Sequence, residues 1–378
     1  MIKSLLCSVL ILFIVCACAQ TPEKNKIVPF KTKTNFKLGD YLTVNPILDS
    51  EVERAFLQMD DTSIVAQLIM PAVGRLGLNK DTILRHINKR LIGGVLMLNG
   101  TKEDFTLWIQ QFEKANTVKG NLPFLYSADA EPSLVNRKII GSKPVKKANE
   151  LLTIEEVMNV TDIISGDLNE IGINYNFSPV VDMSPNKTVG FRSFGAIPEN
   201  IIPWSNAFIQ QTQQHNIIAT AKHFPGHGLV SGDTHKELQT IDGEMLEIKN
   251  YPSLIKNGVL SVMIAHIAVQ NNAKFDTKGL PSTLSEKIVT QLLRDSLGFK
   301  GLIVTDAMNM GGVISVPMSA SKAVKAGCDI ILMPVNVANT HSELLSLYRK
   351  DPEFKKRVDE SAKRVIRMKL ALGLLNTN

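Results

Sequence analysis

Two carboxylates and a group of histidines stand out, because their types and spacing suit proton transfer and nucleophilic attack. The densest string is Lys222-His223-Phe224-Pro225-Gly226-His227-Gly228, followed by Asp233-Thr234-His235. An Asp two residues from a His on a loop can orient the imidazole and favour its protonated form. The plainer use of such a pair is a local Asx-type loop bond. Asp306 closes the apolar run Gly301-Leu302-Ile303-Val304-Thr305 and is followed by Ala307-Met308-Asn309-Met310. A carboxylate at a strand end facing a proton-carrying His is the pair that retaining cleavage of a glycosidic bond requires. One group attacks the anomeric carbon; the other protonates the leaving oxygen and later activates water. As a purely structural residue, Asp306 would cap the next helix. His223 and His227 are four residues apart, but Pro225 and Gly226 lie between them, so they belong to a loop rather than to one helical face. No His-Glu-x-x-His or His-x-His string occurs in the chain, and neither a metal nor a cofactor is expected.

Such groups need a scaffold that delivers them to one place. From about residue 50, short apolar runs alternate with amphipathic stretches: 67–72, 94–98, 124–128, 173–181, 217–221, 260–265, 301–305 and 329–333. Helical spacing is clearest over 79–90, 102–117, 151–170, 285–297 and 355–372, the last with Val358, Ala362, Val365 and a Lys369 whose stem can snorkel. Eight β-then-α units predict an α/β fold, a closed (β/α)8 barrel forming one catalytic domain over residues 46–378. An open doubly wound sheet is the alternative. The barrel demands that functional residues sit just past strand C-termini. Asp129, Asp182, Lys222 with His223, His266 and Asp306 all do.

The 378 residues suit one such barrel with insertions, and the formal charge of +6 is scattered rather than gathered, so no nucleic-acid surface is read. The N-terminus is a targeting segment. Lys3 supplies its positive end, and Leu5 to Val15 is apolar but too short to span a bilayer. Residues 1–17 are read as a signal peptide; removing its single Lys leaves 6 − 1 = +5. Val15-Cys16-Ala17-Cys18 resembles a bacterial lipobox with Cys18 as the lipidated residue, while Ala17-Cys18-Ala19 also fits ordinary cleavage before Gln20. The expectation is an exported lipoprotein, membrane-anchored and facing the periplasm or cell surface, with a soluble periplasmic or secreted protein as the alternative. Residues 18–45 are polar and read as a tether or wrapping segment. Of four cysteines only Cys328 lies in the folded body, in an apolar run that makes it inert core rather than part of a disulfide.

These strings resemble glycoside hydrolase family 3, and within it the single-domain bacterial β-N-acetylglucosaminidases, over about residues 60–373. The resemblance rests on Gly93-Gly94-Val95-Leu96, on Asp129-Ala130-Glu131 with Arg137, and on Gly172 through Asp182 followed by Arg192-Ser193-Phe194-Gly195. It continues in the Lys222–Gly228 string with its Asp-Thr-His, in Met263 through His266, in Leu280 through Ser285, and in Gly298 through Met308. It implies Asp306 as nucleophile and His235, paired with Asp233, as acid/base. It also implies Asp129, Arg137, Arg192, Lys222 and His223 as ligands of the sugar in the −1 subsite. The implied activity is removal of terminal β-linked N-acetylglucosamine, on peptidoglycan fragments or muropeptides, through a covalent glycosyl-aspartate.

Two features separate this branch from the family's β-glucosidases. Thr305-Asp306-Ala307-Met308 stands where those usually carry Ser-Asp-Trp, and the sequence ends at Asn378, just after the last predicted barrel helix, so no second domain is expected. Two departures concern substrate shape. Ala130-Glu131-Pro132-Ser133 replaces the usual Gln-Glu-Gly-Gly, and Leu229 stands where an Asp often comes after the histidine string. The alternatives are a catalytically silent glycan-binding lipoprotein on the same barrel, a β-glucosidase, and a phosphorylase, since a His acid/base does not repel incoming phosphate as a carboxylate would.

Overall fold

The strands are short, apolar on both faces and buried, which is why they read as unbroken hydrophobic runs rather than as alternating ones. In the computed structural model, which describes residues 36–375, seven of them form one parallel, curled sheet. Its order is Leu302–Thr305, Ser261–Ile264, Ile218–Phe224, Tyr175–Asn176, Leu125–Ala128, Gly94–Met97 and Ala72–Val73. Ile69–Met70 pairs in parallel with Ile331–Leu332 as a separate two-stranded ladder. The sequence reading differs here: the runs 67–72 and 329–333 do not join the main sheet as full strands. Pro71 splits the first run, because it has no N–H to give to a ladder, although its carbonyl still accepts from Leu96 N at 2.9 Å. A bridge between Val304 and Ile330 ties the last run to the sheet's other end. The result is TIM-barrel-like, with helices following the strands in sequence and packed outside them.

The helices predicted by spacing are present as Lys80–Asn88, Lys102–Val118, Ile154–Ile171, Lys287–Ser296 (a π-helix) and Pro352–Ala371. Their ends obey local chemistry. Asn79, Thr101 and Thr153 each accept a first-turn backbone N–H through the side chain. Gly172 ends its helix at φ 96°, in the left-handed region glycine enters without strain. The helix Ile154–Ile171 buries Val157, Val160, Ile164, Leu168 and Ile171 along one stripe against the core.

Lys369 does not snorkel, contrary to the sequence expectation. It is wholly buried, with Nζ donating to Gln67 Oε1 at 2.6 Å and to the Gly93 carbonyl at 2.9 Å. Those acceptors close over the helix face before the side chain could reach water. In the 18–45 segment, the described residues from 36 onward wrap: Leu38 and Tyr41 are buried, and Arg367 donates to the carbonyls of Tyr41 and Thr43 at 2.8 Å each. The signal peptide and Cys18 lie outside the described residues. Cys328 is buried in the core, and burial pushes its thiol well above the ordinary range, as expected of an inert side chain. Among the described residues no helix is long and apolar enough to cross a membrane.

Candidate active site

A cavity of about 490 Å³ opens where the strands end, lined by Asp129, Arg137, Arg192, Lys222, His223, His235 and Asp306. All the catalytic and sugar-binding candidates of the sequence line it except Asp233, which stands behind His235. These side chains come from four different strand ends and the loops after them. Side chains far apart in sequence therefore meet because parallel strands all point their C-termini the same way.

The floor is a buried ion network. Lys222, 1% exposed, donates from Nζ to Asp129 Oδ1 at 2.9 Å and contacts Glu131 Oε1 at 2.6 Å. Glu131 accepts two bonds from Arg192, Nε at 2.8 Å and Nη2 at 2.7 Å, the fork-on-fork arrangement that guanidinium and carboxylate favour. Lys138 Nζ reaches Asp129 Oδ2 at 2.5 Å. Burial alone would raise both carboxyls. The charges of Lys138 and Lys222 outweigh it and hold Asp129 far below the usual range, and those of Arg192 and Lys222 bring Glu131 down to about 2. Both acids stay ionised; Asp129 lines the cavity, while Glu131 is wholly buried beneath it and serves the network. Lys138 was not singled out in the sequence; Arg137 beside it was. The structure puts Arg137 exposed at the cavity edge, its guanidinium without a partner among the described residues.

His223 is fixed from behind. Asp182 Oδ1 accepts the backbone N–H of His223 at 3.0 Å and of His227 at 2.9 Å, and Oδ2 accepts His223 Nδ1–H at 2.6 Å. That bond leaves His223 Nε2 as the free ring nitrogen. His227 is buried, and burial and then His223 lower its pKa to about 4, so it is neutral. Its Nε2 has no partner among the described residues. Asp182, His223 and His227 bring ligand atoms within 4.8 Å of one another, a donor set that could hold a cation. The spacing argument overlooked this because the third donor comes from a neighbouring strand. All three N–H bonds to Asp182 would compete with such use.

Asp306 stands just past its strand and lines the cavity, with Oδ1 accepting the Ala307 N–H at 2.8 Å, which leaves Oδ2 as the oxygen without that bond. Desolvation would raise its pKa, but the nearby His223 and His266 and the Ala307 N–H lower it, so it is a carboxylate. His266 lies behind it, buried, with Nε2 donating to the Ala307 carbonyl at 3.0 Å and Nδ1 facing Thr283 Oγ1 at 2.9 Å. It braces the turn after Asp306.

The His235 loop is the least buried part. Asp233 Oδ1 accepts both the backbone N–H of His235 at 3.0 Å and its Nδ1–H at 2.8 Å, leaving Nε2 free. The Asx-type bond and the orienting bond are therefore made by the same oxygen. The His235 side chain is 60% exposed. The root of the loop is held by Glu247, whose oxygens accept the N–H groups of Met183 at 2.5 Å, Gly228 at 3.0 Å and Leu229 at 3.3 Å. Burial and the Asp182 carboxylate push Glu247 up to about 8. Nothing in its Glu-rich stretch (Glu244, Glu247) marks it in the sequence. Gly226 and Gly228 are required here: a Cβ at Gly226 would lie 2.4 Å from Glu247 Oε2, and one at Gly228 1.7 Å from the Met183 carbonyl.

Comparison with known proteins gives the family of the chain. A beta-N-acetylglucosaminidase/beta-glucosidase of Cellulomonas fimi is 29% identical over 304 residues, covering 75% of this chain and 53% of that protein. Beta-hexosaminidase A of Pseudoalteromonas piscicida is 30% identical over 288 residues, covering 67% and 47%. The chain thus spans about half the length of these relatives. The solved structure of a glycoside hydrolase family 3 beta-N-acetylglucosaminidase from Paenibacillus sp. str. FPU-7 superimposes with a TM-score of 0.77 at 26% identity, covering 84% of this chain and 63% of that one. Residues 62–368 match the glycosyl hydrolase family 3 N-terminal domain, and the chain belongs to that family.

Proposed function

We propose that the protein is a retaining exo-β-N-acetylglucosaminidase acting on peptidoglycan fragments. The observation that carries this reading is the pairing, across one cavity, of the Asp306 carboxylate with a His235 imidazole held by Asp233 at 2.8 Å. In the first step Asp306 Oδ2 attacks the anomeric carbon while His235 Nε2–H gives its proton to the departing oxygen, producing a glycosyl-aspartate and a free alcohol. In the second, His235 Nε2 takes a proton from water as that water attacks the anomeric carbon, releasing N-acetylglucosamine and restoring Asp306. Asp129 and Lys222 would accept from and donate to sugar hydroxyls, and His223 Nε2 would add a third contact. The names of the relatives support the acetamido sugar.

The test is hydrolysis of a chromogenic β-N-acetylglucosaminide against the matching β-glucoside, with and without phosphate. The expected result is preference for the acetamido sugar and free N-acetylglucosamine as product. A sugar 1-phosphate product would turn the reading into a phosphorylase, and no turnover of either glycoside would leave a glycan-binding protein. Asp306→Asn should abolish turnover without changing the melting temperature; a near-normal rate removes Asp306 from the mechanism. For location, we propose export with lipid attachment at Cys18. Cys18→Ala should then move the protein from the membrane to the soluble fraction, and wild-type protein that is wholly soluble and starts at Gln20 would overturn the anchor.

A further inference from the structure

We infer that the backbone of Gly311 and Gly312, on the chain leaving the nucleophile strand, is the seat on which the acid/base loop docks, and that Gly311 is a positioning residue for His235. The inference rests on the roles proposed above for Asp306 and His235. Two hydrogen bonds define the seat: Gly311 N–H donates to the His235 carbonyl at 3.0 Å, and Gly312 N–H to the Thr234 carbonyl at 3.1 Å. Neither glycine has a left-handed φ, so their own backbone does not call for glycine. What calls for it is the approach of the loop. A Cβ at Gly311 would lie 2.0 Å from the Lys236 carbonyl oxygen and 2.9 Å from that of His235, both main-chain atoms that move only if the loop moves. At Gly312 the nearest atoms would be His266 Cβ at 3.0 Å and, from the loop, the Thr234 oxygen at 3.3 Å, a milder clash.

The seat matters because little else places the imidazole. The His235 side chain is 60% exposed, so packing does not orient it. Asp233 fixes the ring relative to the loop, but not the loop relative to Asp306. The contacts of Glu247 and Asp182 act at residues 223–229, and Asn186 Nδ2 reaches the Gly232 carbonyl at 3.0 Å. All of these hold the root and the near side of the loop. The far end of the loop is held from residue 239 on by the parallel pairing of Gln239–Asp242 with Ile267–Gln270. Between these two anchors, the bonds to Gly311 and Gly312 tie the acid/base to the same segment that carries the nucleophile. Asp306 is independent of the seat, with its N–H on the Ile264 carbonyl at 2.9 Å and Oδ1 on Ala307 N–H. Unseating the loop should therefore remove acid catalysis and leave the nucleophile and the sugar contacts in place.

The experiment compares Gly311→Ala, Gly312→Ala and His235→Ala on aryl β-N-acetylglucosaminides of graded leaving-group pKa, together with amide hydrogen exchange at residues 311, 312 and 233–237. General acid catalysis is worth about 10²–10⁴-fold, and a good leaving group needs little of it. Gly311→Ala should lose about 10²-fold in kcat/KM on the poorest leaving group and less than about 3-fold on a dinitrophenyl glycoside. Its affinity for N-acetylglucosamine and its melting temperature should stay near those of the wild type. Gly312→Ala should show the same trend at about a tenth of the amplitude, which keeps the test available if Gly311→Ala does not fold. Exchange at positions 311 and 312 should quicken at least about tenfold in Gly311→Ala, the factor for losing about 1.4 kcal/mol of protection. A loss that is equal on all leaving groups, or unchanged exchange, overturns the seat. If His235→Ala itself shows no leaving-group dependence, the acid assignment fails instead, and exchange alone then decides whether the loop docks on these glycines.

Discussion

Two lysines are fully buried at opposite ends of the same sheet, and the protein treats them in opposite ways. Lys222, at the C-terminal ends of the strands, contacts two carboxylates, and although burial works against its charge, Asp129 and Glu131 raise its pKa. Lys369, at the N-terminal ends, hydrogen-bonds only to the neutral oxygens of Gln67 and Gly93, and burial, outweighing the more distant charge of Glu113, lowers its pKa from 10.5 to about 7. Burial by itself sets no protonation state; the neighbours decide. At the cavity end, charge is kept by a matched acid–base network. At the other end, a long side chain fills space and satisfies two acceptors with a charge it holds only weakly. This is the usual division of a barrel into a working face and a stabilising face, written in two residues of one type.

Lys222→Met is expected to have the largest effect. It removes the proposed sugar contact and leaves Asp129 and Glu131 facing each other with less compensation. Breaking a buried pair from one side costs about 3–5 kcal/mol, and losing one preorganised charged contact costs about 10²–10³-fold in rate. Chemical denaturation and kcat/KM would both register it; a variant of wild-type stability and rate would show that the network is ornamental.

The acid limb sharpens the same comparison. Glu131 is depressed from 4.5 to about 2 in the folded protein. A carboxylate with a lowered folded pKa contributes stability that is complete above its unfolded value and drains away as pH falls toward the folded one. Wild-type stability should therefore fall between about pH 4.5 and 2, and in Lys222→Met the fall should start at the same pH but be smaller and end at higher pH, because Glu131 loses one of its two cationic partners and its folded pKa moves toward the unfolded one. Denaturation midpoints measured across that range test it, and coincident acid limbs in the two proteins would contradict it.

The smallest effect on activity is reserved for Lys369. Below pH 7 both folded and unfolded chains hold its proton, and the cost of burial is constant. Between about 7 and 10.5 the unfolded chain keeps a proton that the folded one has released, so stability rises with pH, at most by about 1.4 kcal/mol per unit. Lys369→Met should flatten that rise while leaving kcat/KM within about 3-fold, as a change far from the cavity should. A change in activity comparable to that of Lys222→Met would break the contrast between the two ends.

Much of this was legible in the linear chain. The buried strands announced themselves as apolar runs, and Asp129, Lys222, His223 and Asp306 were recognisable as the polar residues standing just past the ends of those runs. Those signals are local, since a strand's burial and its last residue are written in consecutive letters. What escaped was non-local. Lys138, not Arg137, takes the second oxygen of Asp129, because a short helix turns one of two adjacent basic residues inward. Glu247 clamps a loop some twenty residues away by accepting its backbone N–H groups, and backbone donors leave no trace in side-chain patterns.

By itself, then, the sequence determined the alternation of elements, the strand-end placement of the reactive groups and the Asp233–His235 pairing, all set by contacts within a few residues. Only the tertiary structure decided which charges neutralise which, that Asp182 joins His223 and His227, that Lys369 is sealed rather than snorkelled, and that the His235 loop rests on Gly311 and Gly312. The physical reason is the same in each case. Coulombic and hydrogen-bond energies fall off over a few ångströms, so the partner that matters is the nearest in space, and in a barrel of parallel strands the nearest in space is seldom the nearest in sequence.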